Sequence, residues 1–284
     1  DRCAFAGKAW RQVWQLRRRI NRHHHLRPIH TKIMATLTII IAAKNEARNI
    51  SDCVQSAAFA DEVIVLDSGS TDGTQQLAEA AGAQVVSTDW PGYGPQQSRG
   101  IGLAKSDWVL SLDADERISP ALKAEVIDAI HKPRADGYRL PRLSSLCGTF
   151  IHHGGWRPDY TLRLVKREKA GFTHHFLHAH MTVDGTKADL SESLIHYSYR
   201  DLDDVLEKLN RYASGNAKDL DTTGVKSSFS KAISHGLGAF IRTYIFRAGF
   251  LDGRYGFILA VYNAESTYYK YLKLLALQEA RDKV

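Results

Sequence analysis

The feature that most restricts this chain is a regular alternation of signals between residues 37 and 112. Leu37-Thr-Ile-Ile-Ile-Ala-Ala43 is short, apolar and rich in β-branched residues, as a strand buried on both faces must be. Glu62-Val-Ile-Val-Leu-Asp67, Gln84-Val-Val-Ser87 and Asp107-Trp-Val-Leu-Ser-Leu112 repeat the signal. Each interval has room for one helix, expected over about 47–58, from Ser70-Thr-Asp-Gly-Thr74 to Ala81, and from the Pro91–Pro95 loop to about Lys105. Ser, Thr and Asp at 70–74 read as capping residues for the second of these. Strands and helices alternating at this spacing predict an α/β fold with a mostly parallel sheet and helices on both faces.

The pattern then changes. After a helix expected at about 119–131, residues 136–198 hold β-type runs at Gly137–Leu143, Thr161–Lys166 and Leu194–Tyr199, which read as a partly antiparallel extension of the sheet. Residues 201–219 read as an amphipathic helix, and 228–279 as helical, apolar and aromatic. No uncharged run in that last stretch is long enough to span a bilayer. Two readings stay open for it: a basic, aromatic helix pair lying in a membrane interface, or a helical layer packed on the core. The expected division is 34–118 for a nucleotide-binding half, 119–200 for an acceptor half, and 201–284 for a C-terminal helical extension.

The net charge of +7 says little about the folded part. Residues 1–33 hold nine Lys/Arg and one acid, whereas the remaining residues carry 29 bases and 30 acids. The basic character belongs to this leader, which is expected to be flexible, with Met34 as a natural start. A nucleic-acid partner is therefore not expected. Cys3, Cys53 and Cys147 are odd in number and far apart, which argues against a disulfide framework or zinc knuckle and for reduced thiols in the cytoplasm.

Chemistry concentrates at strand ends. Leu112-Asp113-Ala114-Asp115-Glu116 follows a buried strand, where open α/β sheets bind ligands. Two carboxylates one residue apart suit Mg2+ or Mn2+, hard cations that take oxygen ligands and keep positions open for a diphosphate. Asp67-Ser-Gly-Ser-Thr-Asp-Gly-Thr74 follows the second strand, and Ala43-Lys-Asn-Glu46 closes the first at the same edge. Glycines and hydroxyls there allow close approach of a nucleotide. Three loops converging on one crevice carry more weight than any one of them.

These motifs, with Gln97-Ser-Arg-Gly100, resemble the inverting family 2 glycosyltransferases of GT-A (Rossmann-like) fold over about residues 36–200. Gly155-Trp-Arg-Pro-Asp-Tyr-Thr-Leu-Arg-Leu164, Leu194-Ile-His-Tyr-Ser-Tyr-Arg200 and Leu206-Glu-Lys-Leu-Asn-Arg-Tyr212 are similar to the bacterial lipopolysaccharide core β-1,4-glucosyltransferase branch. The resemblance implies transfer of glucose from UDP-glucose to a heptose of the inner core, peripherally at the cytoplasmic face of the bacterial inner membrane. It places Ala43, Asn45, Glu46 and Asp67 around the uridine, and Ser70, Asp72 and Arg99 along the donor. Asp113 and Ala114 would meet ribose or metal, and Asp115 would ligate Mg2+ or Mn2+. Asp159 would be the general base, with Trp156, Arg163 and His178 as acceptor or diphosphate contacts. By its surroundings Asp159 reads equally as a loop carboxylate paired with Arg157 or Arg163. Where such relatives often carry His-Glu, this chain has His178-Ala179.

Of the histidines in the acceptor half (His152, His153, His174, His175, His178, His180 and His196), His178 is the one expected nearest the metal. A zinc site is not expected from the family resemblance. Two further functions stay open: a family 2 transferase acting on a polyprenyl phosphate or capsular acceptor, and a non-catalytic nucleotide-binding module docked on a membrane.

Overall fold

The computed structural model describes residues 34–173 and 180–281. The leader 1–33 and the His174, His175, His178 and Ala179 positions lie outside them. The first half runs β1 (Leu37–Ala43), α1 (Ile50–Ala57), β2 (Glu62–Asp67), α2 (Thr74–Ala80), β3 (Gln84–Ser87), α3 (Tyr93–Leu103), β4 (Trp108–Asp113), β5 (Glu116–Arg117) and α4 (Pro120–His131). The second continues through β6 (Gly137–Leu146), β7 (Thr149–Phe150), β8 (Tyr160–Lys166), β9 (Ala170–Phe172), β10 (Met181–Val183), β11 (Lys187–Asp189) and β12 (Leu194–Tyr199). Helices α5 (Leu202–Thr222), α6 (Phe229–Ile241) and α7 (Gly253–Arg281) complete it.

The main sheet has the order β3-β2-β1-β4-β8-β6-β12-β5. Strands β3, β2, β1 and β4 are mutually parallel, whereas β8 runs antiparallel to both β4 and β6. Alternation along β1 explains the layers. Ile39 and Ile41 face a core shared with Leu110, Leu112 and Leu122, while Ile40 faces Ile64, Leu66 and Val109. Covering helices bury both faces, so the strands read as continuous apolar runs. On the second face α3 approaches closely at Gly100: an added Cβ would lie 2.8 Å from Leu66 Cδ1 and 3.1 Å from Ile40 Cδ1.

The chain moves outward from β1 in one direction through β2 and β3, then returns to place β4 on its other side. That reversal leaves a crevice beyond the carboxyl ends of β1 and β4, where doubly wound sheets bind ligands. The register puts Ala43 beside Asp67 and Ala42 beside Asp113, so three separate motifs end on one rim.

The C-terminal stretch, expected to be helical over 228–279, is broken near its middle. A π-type turn at Arg242–Phe246 and a 3-10 turn at Gly249–Asp252 separate α6 from α7. Ala248 is left-handed at φ 53°; the reversal returns α7 along α6 as a hairpin. Among the described residues no helix is long and apolar enough to cross a membrane.

Candidate active site

Loops 43–46 and 67–74 are stitched together by the polar residues that distinguish them. Ser70 Oγ accepts from the Asn45 amide at 2.8 Å, and Asn45 Oδ1 accepts from the Thr71 amide at 2.9 Å. Asp72 accepts from the Ala47 amide, and Thr74 Oγ1 from the Glu46 amide. Asn45 takes a left-handed conformation, φ 56°, which asparagine tolerates better than most residues. Helix α2 starts instead at Gly73, φ 91°, without a side-chain cap; the hydroxyls expected to cap it serve the neighbouring loop.

Asp67 is fully buried. Its Oδ2 accepts from the amides of Gly69 and Ser70 and from Gln75 Nε2, whereas Oδ1 has no hydrogen-bond partner among the described residues. A buried, unpaired acceptor is costly, and here it sits at the end of the strand next to β1. Arg99, on α3, donates to Gln96 and pairs with Asp89 at 2.9 Å.

The acidic motif is divided by its neighbours. Arg163, on β8, donates to Asp113 Oδ2 at 2.6 Å and to Glu116 Oε1 at 2.8 Å. Glu116 is wholly buried and also accepts from the Asp113 amide at 2.9 Å, closing the turn. Burial alone would raise the Asp113 carboxyl; the Arg163 guanidinium overcomes this and holds it below its usual range. Glu116 is pushed up by burial, which Arg163 offsets only in part, and by repulsion from Asp113. The sequence marks Arg163 as an acceptor or diphosphate contact; the structure shows its partners within the chain. Its side chain is only 12% exposed and is held by the two acids, because a buried carboxylate left without its cation strongly destabilises a fold. Arg117 braces the same turn, donating to the carbonyls of Ala114 and Glu116 and, across the crevice, of Asn49.

Asp115 is turned the other way. Its Oδ2 lies 3.5 Å from His196 Nε2, on β12, too long for a strong hydrogen bond. The other ring nitrogen of His196 lies 3.0 Å from Ser144 Oγ and 2.8 Å from Ser198 Oγ, the kind of outer partner that orients a metal-ligating imidazole. Among the described residues no cluster of three or more His, Cys, Asp or Glu could hold a metal. A carboxylate and an imidazole are nonetheless a set that fits Mg2+ or Mn2+ beside a diphosphate, since such ions keep open positions for phosphate and water. The nitrogen ligand favours Mn2+ of the two. In the sequence His196 is one of eight histidines between residues 119 and 200. The expected His178 lies outside the described residues.

Glu46 faces the same space. Burial raises its carboxyl, the Asn49 side chain opposes this with a hydrogen bond, and the charge of Asp115 adds to the rise. Tyr93, at the start of α3, is likewise raised by burial and then by Tyr212, with Asp113 and Asp115 adding to the effect. The motifs at 43–46 and 113–115 thus share one electrostatic neighbourhood, with α5 on its border.

Asp159 lies just before β8. Arg142 donates through Nε and Nη2 to its Oδ2 at 2.9 and 2.6 Å, so its partner is Arg142 and not Arg157 or Arg163. Arg157 instead donates to Ser193 Oγ. Trp156 stacks on Tyr199 with ring centroids 5.7 Å apart, and the Tyr199 hydroxyl meets that of Tyr262 on α7 at 2.6 Å. Cys53 and Cys147 are free.

The loops at 43–46, 67–74 and 113–115 meet on one rim of an α/β sheet beside a carboxylate–imidazole pair. The chain belongs to glycosyl transferase family 2, whose family model matches residues 38–184. An uncharacterized glycosyltransferase of Rickettsia bellii is 31% identical over 259 residues, covering 86% of this chain and 86% of the relative. The lipopolysaccharide core biosynthesis glycosyltransferase LpsC of Rhizobium meliloti is 27% identical over 236 residues, 80% of this chain and 87% of its own length. Glucosyl-3-phosphoglycerate synthase from Mycobacterium tuberculosis, solved with Mn2+, UDP-glucose and phosphoglyceric acid, is 28% identical with a TM-score of 0.33. That match covers 39% of this chain and 43% of the solved one, so the chain spans less than half of the structure it resembles.

Proposed function

We propose that this glycosyltransferase moves glucose from UDP-glucose to a heptose of the lipopolysaccharide inner core with inversion, peripherally at the cytoplasmic face of the bacterial inner membrane. The observation that carries the donor half is the Asp115–His196 pair, 3.5 Å apart, set beside Glu46 on the crevice that Asp67 also borders. The acceptor half is supported by the relative named for lipopolysaccharide core biosynthesis, whose 236-residue match is longer than the family 2 region.

In this reading the unpaired Oδ1 of Asp67 accepts from an N–H of the uracil ring, and Ala43, Asn45 and Glu46 close over the nucleoside. Ser70, Asp72 and Arg99 line the donor, and Asp113 and Ala114 meet the ribose. Asp115 and His196 would hold Mg2+ or Mn2+, which when bound neutralises charge on the departing diphosphate. Arg163, fixed between Asp113 and Glu116, keeps Asp115 aimed outward. The acceptor hydroxyl attacks the anomeric carbon as the bond to the diphosphate oxygen breaks. UDP leaves and the hydroxyl proton passes to Asp159. Arg142 grips Oδ2 of that carboxylate, leaving Oδ1 to take the proton. Trp156, braced by Tyr199, is placed to contact the acceptor.

The test is transfer of radiolabelled glucose from UDP-glucose to a heptose-terminated core acceptor, with and without Mn2+, alongside UDP titration. Asp159→Asn should lower turnover by about 10²- to 10⁴-fold while UDP affinity holds, and His196→Ala should raise the Mn2+ requirement at least about tenfold. No turnover with any UDP-sugar defeats the proposal. A polyprenyl-linked product, identified by mass spectrometry, would move the acceptor to that class.

A further inference from the structure

The α6–α7 hairpin arranges its residues against the usual rule for a surface helix. The face that α6 turns to α7 is made of Ala232, Gly236 and Ala239, all buried, and a Cβ added at Gly236 would lie 3.1 Å from Tyr268 Cβ. Small residues let the two helices touch, so the large apolar ones are left outside. Phe229, Ile233, Leu237 and Ile241 recur every fourth residue along one exposed flank, and Ile245 and Phe246 extend the stripe. Leu237 is 61% exposed and Phe246 80%. A continuous apolar strip of this kind marks an interaction surface.

The charges along it are mostly positive. Residues 222–264 contain Lys226, Lys231, Arg242, Arg247 and Arg254 against a single acid, Asp252. That acid is turned inward, accepting from the His152 and His153 amides and facing the His153 ring at 3.0 Å. A cleft of about 420 Å³ opens between the helices, lined by Ser234, His235, Arg242, Thr267, Lys270 and Tyr271, with Arg242 directly after Ile241 of the stripe. Lys231 and Lys270 place their ammonium groups 5.3 and 4.8 Å from the centre of the Tyr271 ring. Burial and the nearby Arg242 both hold Lys270 below its usual range. Among the described residues neither Arg242 nor Lys270 is ion-paired. Cations gathered without a counter-ion are stabilised by an anion brought from outside.

We infer that the α6–α7 hairpin docks on an anionic bilayer, its apolar stripe entering the acyl boundary and its Arg242–Lys270 cleft taking a phospholipid phosphate. An apolar face bordered by unopposed cations has the form of an interfacial helix, and anionic leaflets attract such clusters. A second copy of the chain fits less well, because two such faces would bring like charges together. Docking also has a route to the site: Asp252 anchors the loop at His152–His153, and Tyr262 holds Tyr199 under Trp156. The inference deepens the membrane placement proposed above and does not need the donor assignment.

The test is flotation of the full chain with vesicles of phosphatidylcholine alone and with added phosphatidylglycerol, with thermal unfolding as a check that each variant is folded and UDP titration as a separate measure of the donor reading. The wild type should prefer phosphatidylglycerol vesicles. Leu237→Ser with Phe246→Ser should lower partitioning about tenfold or more, and Arg242→Gln with Lys270→Gln should abolish the preference for the anionic lipid. Equal partitioning of wild type and both double variants would assign vesicle binding elsewhere, including the basic leader, and overturn the inference. So would a wild-type dimer in sedimentation that the Leu237/Phe246 variant loses. Loss of UDP binding by the wild type would strike the donor reading alone.

Discussion

The rim at the ends of β1, β2 and β4 and the hairpin of α6 and α7 use similar residues in opposite ways. At the rim several charges are paired within the chain: Arg163 serves Asp113 and Glu116, and Arg142 serves Asp159. The large apolar residues behind it are wholly buried. Along the hairpin Arg242 and Lys270 have no carboxylate partner among the described residues, and large apolar residues of α6 point outward. A self-contained polar network holds a small soluble ligand in fixed geometry. An unsatisfied one waits for a surface to complete it. The contrast predicts that substitutions at the rim change the fold and the reaction, whereas substitutions on the hairpin change where the protein sits.

The sharpest challenge is Arg163→Ala. It strands the buried Glu116 carboxylate and leaves Asp113 unpaired, so unfolding should become easier by about 3–5 kcal/mol, read by denaturant titration. An unchanged midpoint would mean that the rim is not self-neutralising. Next is Gly100→Ala, where the new methyl meets Leu66 Cδ1 at 2.8 Å. Overpacking should cost about 1–3 kcal/mol and shift thermal unfolding downward.

A smaller effect belongs to Glu46. Its carboxyl is raised mainly by burial, so the folded state resists ionisation more than the unfolded one does. The sign follows from linkage: stability should fall as pH rises from the ordinary Glu value of 4.5 through the raised one. Glu46→Gln should flatten that slope, and an identical pH profile would remove the burial argument. Smallest is Leu237→Ser, which should leave stability within about 0.5 kcal/mol because the side chain is already exposed. A large loss there would show the stripe to be core, and with it the difference between the two regions would disappear.

Much of the rim can be read from the chain because its signals are local. β1, β2 and β4 each bury both faces, so their apolar runs stand out, and the acids and glycines follow directly where each strand ends. Family membership rests on the same contiguous motifs, and the family model ends at residue 184. The partners of the acids are not legible in this way. Arg163 reads as free for a ligand because nothing in Thr161–Lys166 tells that β8 lies against β4. His196 is one histidine among many until β12 pairs with β5 and sets it opposite Glu116. The alternation Leu194, His196, Ser198, which puts the imidazole on one face with a hydroxyl, is the available signal. The break at Ala248 is hidden for a different reason: helical periodicity continues through Arg242–Phe246 although the backbone does not.

The order of residues along the chain was enough for the period and polarity of each segment, and hence for an α/β sheet with acids at its carboxyl edge, because those depend on residues a few positions apart. Folding in three dimensions settled which arginine neutralises which carboxylate, which histidine faces Asp115, and which side of α6 remains uncovered. These depend on strand order and helix contacts between residues roughly 20 to 80 apart, whose register is fixed by burial of whole faces. No local pattern encodes that sum.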